Sequence, residues 1–296
     1  MKRIIVILFY MAFGASKLMA QEEDLLSLLG EEKPKKENVF NAFKSARVIM
    51  SHSMEMLRPG VLDFRILHRF GRINGGAYEL FGLDGPATVR LALDYGVSDY
   101  LTLGLGRSTQ RKELDGFIKF RPLQQAKGKG ALPFSLLLVA GATLNGLKWS
   151  DTSRKNFFSS RLAYYGQLVV GSKINDKLSL QLMPSAVHQN LVPDSNDHND
   201  LIAAGIGTRI RLSRRVSLNV DYYHVFNPNN STRRYLPLSL GFDIETGGHV
   251  FQLHFTNAKG MNERAFITDT EYSWGKGEIM FGFNISRSFQ IRKKKH

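Results

Sequence analysis

Hydrophobic and polar residues alternate along most of the chain from about residue 60 onward. In residues 216–222, for example, Val, Leu, Val and Tyr alternate with Ser, Asn and Asp. Similar alternation is found around residues 62–70, 90–95, 101–106, 236–244, 251–256 and 279–285. A period of two predicts β-strands with one apolar and one polar face. No long helical pattern follows residue 30, so the sequence predicts an all-β fold.

The connections between the predicted strands alternate between short and long. Tight polar turns are predicted at residues 96–99, 173–176, 213–215 and 245–248, with a looser one at 127–130. Longer polar stretches lie between them, at residues 107–113, 145–156, 189–199, 227–234 and 259–275. This layout is typical of an outer-membrane barrel with its short turns in the periplasm. With residues 61–70 as the first strand and 276–289 as the last, we predict an antiparallel transmembrane β-barrel of about 12 strands.

A soluble β-sandwich or a lipocalin-type barrel would also alternate, but with its apolar face inside. The predicted strands are about ten residues long, which is enough to cross a bilayer when tilted. Their polar faces carry Gly, Ser, Thr and charged residues, which suit a wet or charge-paired lumen. Tyr and Phe recur near the strand ends, where interfacial girdles form. These features favour the membrane barrel.

The first 20 residues have the order of a secretory signal peptide. Lys2 and Arg3 precede an apolar run over residues 4–13, and the segment ends at Ala20. The run is too short for a membrane-spanning helix, which needs about 20 residues. We therefore expect cleavage after Ala20, export, and location in the cell outer membrane.

A periplasmic leader is predicted over residues 21–56, ahead of the barrel at 57–291 and a basic tail at 292–296. Four leucines in residues 25–29 form a short helical patch that could dock a periplasmic partner, and a charged, proline-containing stretch follows. Residues 39–56 are apolar in places but have no membrane register. This part of the leader is a candidate plug for the lumen.

Composition removes several classes of function. The 296 residues include no cysteine, which excludes thiol catalysis, cysteine-ligated metals and lipoprotein anchoring. Because an exported chain rarely meets nucleic acid, the net charge of +14 indicates a surface facing outer-membrane lipid and lipopolysaccharide, or simply a solvated surface. The barrel-assembly machinery is the expected partner in insertion, and no cofactor is expected.

Several stretches resemble a known family. They are residues 51–55, 59–71, 80–84, 95–102, 104–108 and 115–119. These stretches are similar to domain of unknown function 5777, a family of uncharacterised β-barrel proteins exported by Gram-negative bacteria, and the similarity is good over residues 45–125. The resemblance implies an outer-membrane barrel with no known activity, and it assigns no functional residue.

Charged residues on the polar strand faces are the candidate lumen lining. They are Arg65, Arg69, Arg90, Asp94, Lys119, Arg209, Asp221 and Asp243. One interpretation is cross-strand pairing that fills a narrow barrel, which we favour. The other is a charged constriction that selects solutes by sign.

Candidate catalytic and metal-binding residues are few. His52 and Ser53 could suggest a lipid hydrolase, but adjacent residues on an extended segment point to opposite faces. The oxygen-rich loop 194–200 lacks the glycine and distal glutamate of a specific Ca²⁺ loop. We therefore expect no enzymatic activity and favour a channel or transporter for a small solute. The alternatives are a closed structural or docking barrel and, third, a lipid hydrolase.

Overall fold

Twelve antiparallel strands form a closed barrel in a computed structural model that describes residues 36–153, 155–229 and 234–292. The predicted signal peptide, the leucine patch and most of the basic tail lie outside these residues. The strands are β1 Val61–Arg72, β2 Thr88–Ser98, β3 Leu101–Ser108, β4 Leu114–Leu123, β5 Ser135–Leu144, β6 Leu162–Lys173, β7 Leu178–Gln189, β8 Asp200–Arg211, β9 Val216–Val225, β10 Leu238–Thr246, β11 His249–Thr256 and β12 Met280–Gln290.

Each strand pairs with its neighbours in chain order, and β12 closes the barrel against β1 with Ile285 opposite Ile66. The predicted fold class and strand count are confirmed. The last strand begins at Met280, later than the predicted residue 276. A short turn at Trp274–Lys276 and the left-handed Gly277 (φ 66°) precede it, and both geometries are incompatible with a strand.

The alternation in sequence becomes an outer apolar face and an inner polar face. On β2, the outward Leu91 and Leu93 are each 48% exposed, whereas the inward Arg90 and Asp94 are 1% and 2% exposed. A soluble barrel would place the leucines inside. The exposed apolar belt is the surface that a lipid bilayer covers.

The two rims of the barrel differ in the length of their connections. The short-turn rim carries residues 99–100, 174–177, 212–215 and 247–248, and the long-loop rim carries 73–87, 145–153, 155–161, 190–199, 226–229, 234–237 and 257–279. The predicted strict alternation has two exceptions: residues 109–113 form a short link on the long-loop rim, and residues 124–134 form a long one on the short-turn rim. In the latter, Ala126–Lys127 pairs with Glu37–Asn38. The leader therefore reaches the barrel at the short-turn rim, at the connection between β4 and β5.

Within residues 36–153, 155–229 and 234–292, helical structure is confined to short pieces. The helix α1, Glu263–Thr268, is capped by Asn262, whose side chain accepts a hydrogen bond from the backbone N–H of Ala265. In the part of the chain that the structure describes, no helix is long and apolar enough to cross a membrane.

Two chain segments enter the barrel, one from each rim. Residues 42–54 of the leader are mostly buried, and Val48, Ile49 and Met50 pack with wall residues such as Leu137 and Val169. From the opposite rim, residues 257–270 fold inward and bury α1. We name the first segment the leader insert (residues 41–56) and the second the loop insert (residues 257–270).

The loop insert departs from the sequence prediction, which placed residues 259–275 in an external polar loop. Phe266 and Ile267 are 0% and 5% exposed and join the same apolar cluster as the leader insert. The ring of Phe266 lies 4.9 Å from that of Tyr223 on the wall. Burial of these apolar side chains favours the inward position of the loop.

Candidate functional site

All eight lumen candidates lie inside the barrel and are at most 4% exposed. They do not form a single charged ring. Some of them pair with another residue of the barrel wall, and others bind the leader insert. The candidates are Arg65, Arg69, Arg90, Asp94, Lys119, Arg209, Asp221 and Asp243.

The clearest wall pair joins Arg90 on β2 with Asp115 on β4, across the intervening strand β3. The Arg90 Nε donates to Asp115 Oδ1 at 2.9 Å, and a second bond joins the same groups. Gly106 on β3 leaves room for this contact, because a Cβ there would lie 2.3 Å from Arg90 Nη2. Asp115 is thus a site residue that belongs with the eight candidates.

Asp221 holds the turn of the leader insert. Its Oδ2 accepts hydrogen bonds from the backbone N–H groups of Met50 at 2.8 Å and Ser51 at 2.9 Å, and its Oδ1 accepts from the Ser51 hydroxyl at 2.9 Å. One wall carboxylate therefore satisfies several donors of a buried turn, which would otherwise be costly to bury.

Two wall cations hold the ends of the leader insert. Arg209 Nη1 donates to the carbonyls of Asn41 at 3.0 Å and Ala42 at 2.9 Å. Lys119 Nζ donates to the carbonyl of Glu55 at 2.6 Å. Their partners are backbone atoms, which no pattern of side chains in the sequence would reveal.

Three wall amides complete the hold on the leader insert and were missed by the sequence prediction. Gln181 accepts from the N–H of Met54 at 2.9 Å, Gln252 donates to the carbonyl of Val48 at 2.7 Å, and Asn284 donates to that of Ile49 at 3.0 Å. Their positions on inward faces were available from the alternation. They were missed because only charged residues were considered as lumen candidates.

Four candidates are less fully paired. Arg69 donates to Asn284 Oδ1 at 2.9 Å, and Arg65 donates to Ser45 Oγ at 3.1 Å and lies 3.5 Å from Asp63. Asp243 accepts from Gln252 at 2.9 Å, and Asp94 lies opposite Asp63 across β1 and β2.

The leader insert and the loop insert meet at an ion pair. Arg47 Nη1 lies 2.7 Å from Glu263 Oε1, and both side chains are at most 2% exposed. His52 Nε2 lies 3.6 Å from the same oxygen. The guanidinium of Arg47 also lies over the ring of Phe117, at 5.3 Å from its centroid. We call this contact the Arg47–Glu263 junction.

Burial changes the proton affinities at the junction in opposite directions. It raises the pKa of the Glu263 carboxyl, and the positive charge of Arg47 opposes that shift. Burial also lowers the pKa of His52 well below its ordinary value, and Arg47 adds to that shift. At neutral pH His52 is therefore uncharged and adds no positive charge to the junction.

The loop insert is tied to the wall by a second ionic group. Arg264 contacts Glu113 through Nη2 and lies 2.6 Å from Asp269 through Nη1. Asn262 donates to Glu113 at 2.6 Å. The polar residues of the loop insert can thus be buried, because its charged side chains are paired with opposite charges inside the barrel.

His52 and Ser53 do not face each other. The Ser53 hydroxyl donates to the carbonyl of Ser45 at 2.6 Å, whereas His52 packs edge-on against Phe117 with ring centroids 4.4 Å apart. Across the described ranges, no group of three or more His, Asp or Glu side chains is placed to hold a metal ion.

Cavities open at both mouths of the barrel. One of about 210 Å³ lies at the short-turn rim beside Phe43, Lys44 and Arg121. Another, of about 320 Å³, lies at the long-loop rim beside Arg111, Arg161 and Arg264. The leader insert and the loop insert lie between them.

A closed barrel with an apolar outer belt and a polar, filled interior defines a membrane-bound β-barrel protein. A family model described as a membrane-bound beta barrel domain, DUF5777, matches residues 43–289, and the chain belongs to this family. The match confirms the resemblance seen in the sequence, and it includes the leader insert from Phe43 onward. A search of curated proteins finds no match.

Solved structures with a similar architecture include three outer-membrane proteins or channels. A NanC porin is 8% identical, with 77% of this chain and 98% of that chain covered and a TM-score of 0.48. OmpT of Vibrio cholerae is 10% identical, with 77% and 96% covered and a TM-score of 0.39. The CymD monoaromatic hydrocarbon channel is 11% identical, with 79% and 89% covered and a TM-score of 0.37. Likenesses of this size carry no information on function.

Proposed function

We propose that this protein is an outer-membrane channel or transporter for a small solute, closed in this conformation by its leader insert and loop insert. The observation that supports the proposal is the way the lumen is filled. The two inserts are separate from the strands, come from opposite rims and meet at the Arg47–Glu263 junction.

Barrel size supports this reading. About eight strands enclose a space that wall side chains fill, whereas 16 to 18 strands leave an aqueous channel. Twelve strands lie between these limits, and here two chain segments occupy the interior in addition to the wall side chains. Withdrawal of the leader insert would also remove Arg47, the partner of Glu263 in the loop insert, and the vacated space is lined by charged wall residues.

An outer-membrane location is part of the proposal. The signal-like first 20 residues, the apolar outer belt and the entry of the leader at the short-turn rim support it. Outer-membrane lipid and lipopolysaccharide would then be the surface partners, and the barrel-assembly machinery would insert the chain. Membrane fractionation tests the location, and N-terminal sequencing tests cleavage after Ala20.

Deletion of residues 39–56 tests the channel. We expect the variant to insert and to retain its shifted gel mobility before boiling, because the hydrogen bonds of all twelve strands remain. Its conductance in planar bilayers should rise well above that of the full chain. Deletion of residues 21–35 is the matched control, since it leaves the leader insert in place, and its conductance should equal that of the full chain.

The second candidate function is a closed docking or structural barrel. The tight hold of Asp221, Gln181 and Gln252 on the leader insert favours it. A deletion variant that stays non-conducting while keeping its heat-modifiable mobility would support this function and contradict the channel. We further propose that the protein has no enzymatic activity, which an assay of lipid hydrolysis tests.

A further inference from the structure

The cavity at the long-loop rim carries an excess of positive charge. Four arginines line it, and two carboxylates face them. The arginines are Arg111, Arg161, Arg234 and Arg264, and the carboxylates are Glu113 and Asp269. The exposed Glu271 lies just outside, 3.6 Å from Arg234. An anion entering this cavity would therefore meet a net positive field in a recess partly shielded from solvent.

Arg264 is the nearest arginine to both carboxylates, and Asp269 also interacts with two others. Arg264 contacts both Glu113 and Asp269, the latter at 2.6 Å. Arg111 Nη2 donates to Asp269 Oδ1 at 3.4 Å, and Arg234 Nη1 lies 3.9 Å from the same oxygen. These two guanidinium groups thus keep donors that can bind a further carboxylate.

Arg161 is fixed at the wall of the same cavity. Its Nη1 donates to the carbonyl of Asn145 at 2.8 Å, and its guanidinium lies 4.2 Å from the ring centroid of Trp149. The arginine therefore presents a positioned charge, and it places a tryptophan close to any ligand bound there.

A second cavity, of about 340 Å³, lies next to the first and is largely apolar. Leu201, Val225, Leu236 and Ile267 line it. Arg234 and Asn229 line both cavities and so mark the border between them. The buried Nε of Arg234 has no hydrogen-bond partner among the described residues.

We propose that these two cavities form one binding site for a small carboxylate that carries a compact apolar body. The carboxylate would lie against Arg111 and Arg234, and the apolar body would occupy the space beside Leu201, Val225 and Leu236. A neutral molecule of the same shape would form no ion pair with Arg111 or Arg234. A carboxylate without an apolar body would leave the second cavity unfilled. The site is on the long-loop side of the loop insert, so binding there does not require an open lumen.

Titration of cyclohexanecarboxylate into the full mature protein in detergent, followed by calorimetry and by tryptophan fluorescence, tests the site. We expect saturable binding that is at least tenfold weaker for cyclohexanemethanol and for acetate. Arg234→Gln and Arg111→Gln should each weaken binding at least tenfold, and Leu236→Ser should weaken it several-fold. Arg107→Gln is the matched control, because Arg107 is exposed near the same rim but does not line either cavity.

Heat-modifiable gel mobility confirms that each variant is folded before titration. Absence of saturable binding would overturn the proposal, as would equal affinity in Arg234→Gln and Arg107→Gln. Acetate binding as tightly as cyclohexanecarboxylate would overturn the apolar part of the site. Because the measurement uses the closed protein, it stands apart from the conductance test: a non-conducting deletion variant would contradict the channel and leave this site intact.

Discussion

A buried charge in this lumen is tolerated where its partner is fixed by the wall. Arg90 and Asp115 show this most simply, because both are on strands and Gly106 gives them room. Removing one member of such a pair leaves the other buried and unpaired, which costs far more than the net stabilisation by the intact pair.

We therefore expect Arg90→Leu to lower the free energy of unfolding by about 3 to 5 kcal/mol. The double variant Arg90→Leu/Asp115→Leu should recover most of that loss, because no unpaired charge remains. Denaturant unfolding in detergent, followed by the change in gel mobility, measures both variants. A double variant less stable than Arg90→Leu would contradict this account of the pair.

A second prediction concerns the lipid-facing side chains. Leu240 faces outward on β10, midway along the row of outward apolar positions from Leu236 to Ile244, and is 38% exposed. Leu240→Arg should lower stability by about 2 to 4 kcal/mol, since it places a charge in the hydrocarbon. Leu240→Phe keeps an apolar side chain and is the control. Unfolding in lipid vesicles measures the difference, and equal stability of the two variants would show that the outer face is misassigned.

At the neighbouring inward position, Ser239, the size of the side chain is limited by the filled lumen. An empty polar lumen would accept a long side chain at Ser239, but Ser239 is 0% exposed and bonds Thr256. Since the lumen is filled, a larger residue there must displace part of its contents.

The leader insert is held by a few wall side chains that form hydrogen bonds with its backbone atoms. Asp221 has the largest share, because it accepts from the turn at Met50 and Ser51. Each amide left without a partner in a buried site costs on the order of 1 to 3 kcal/mol.

Asp221→Leu should accordingly loosen the leader insert without opening the barrel. We expect faster proteolysis within residues 39–56 and brief conductance events, with unchanged heat-modifiable mobility. Asp221→Asn keeps an acceptor oxygen and should have a smaller effect on both readouts. Cleavage rates that are equal for Asp221→Leu and the unaltered chain would show that other contacts hold the turn.

The strands and their faces were predictable from sequence, whereas the contents of the lumen were predictable only in part. A period of two assigns Arg90 or Asp221 to the inner face, because neighbouring positions on a strand alternate. It does not give their partners, since Asp221 binds the backbone of a segment about 170 residues away. The leader insert could be proposed because residues 39–56 are partly apolar and fit no strand.

The loop insert could not be foreseen from its polar sequence. Asn262, Glu263 and Arg264 read as a solvated stretch, and they are buried only because Glu113 and Arg47 approach from other parts of the chain. Such pairing is a property of the tertiary structure.

For the whole molecule, the barrel and the leader insert should form as separable steps. The wall is complete without the leader, since β12 pairs directly with β1. In refolding from urea into detergent, the full chain should show two phases: one detected by strand formation, and a later one detected by protection of residues 39–56 from protease. The deletion variant lacking residues 39–56 should keep the first phase at an unchanged rate. A first phase that disappears in this variant would mean that the barrel forms around the leader as a template.

The leader insert begins beside Ala126–Lys127 and ends at the start of β1, so both of its ends lie at the same rim. It is a re-entrant hairpin and does not thread through the barrel. A force applied ahead of Glu37 would therefore first break the two-residue pairing with Ala126–Lys127. It would then pull one end of the hairpin while the other end stays attached to β1. The chain could leave the lumen and return to it without a single strand of the wall being unpaired.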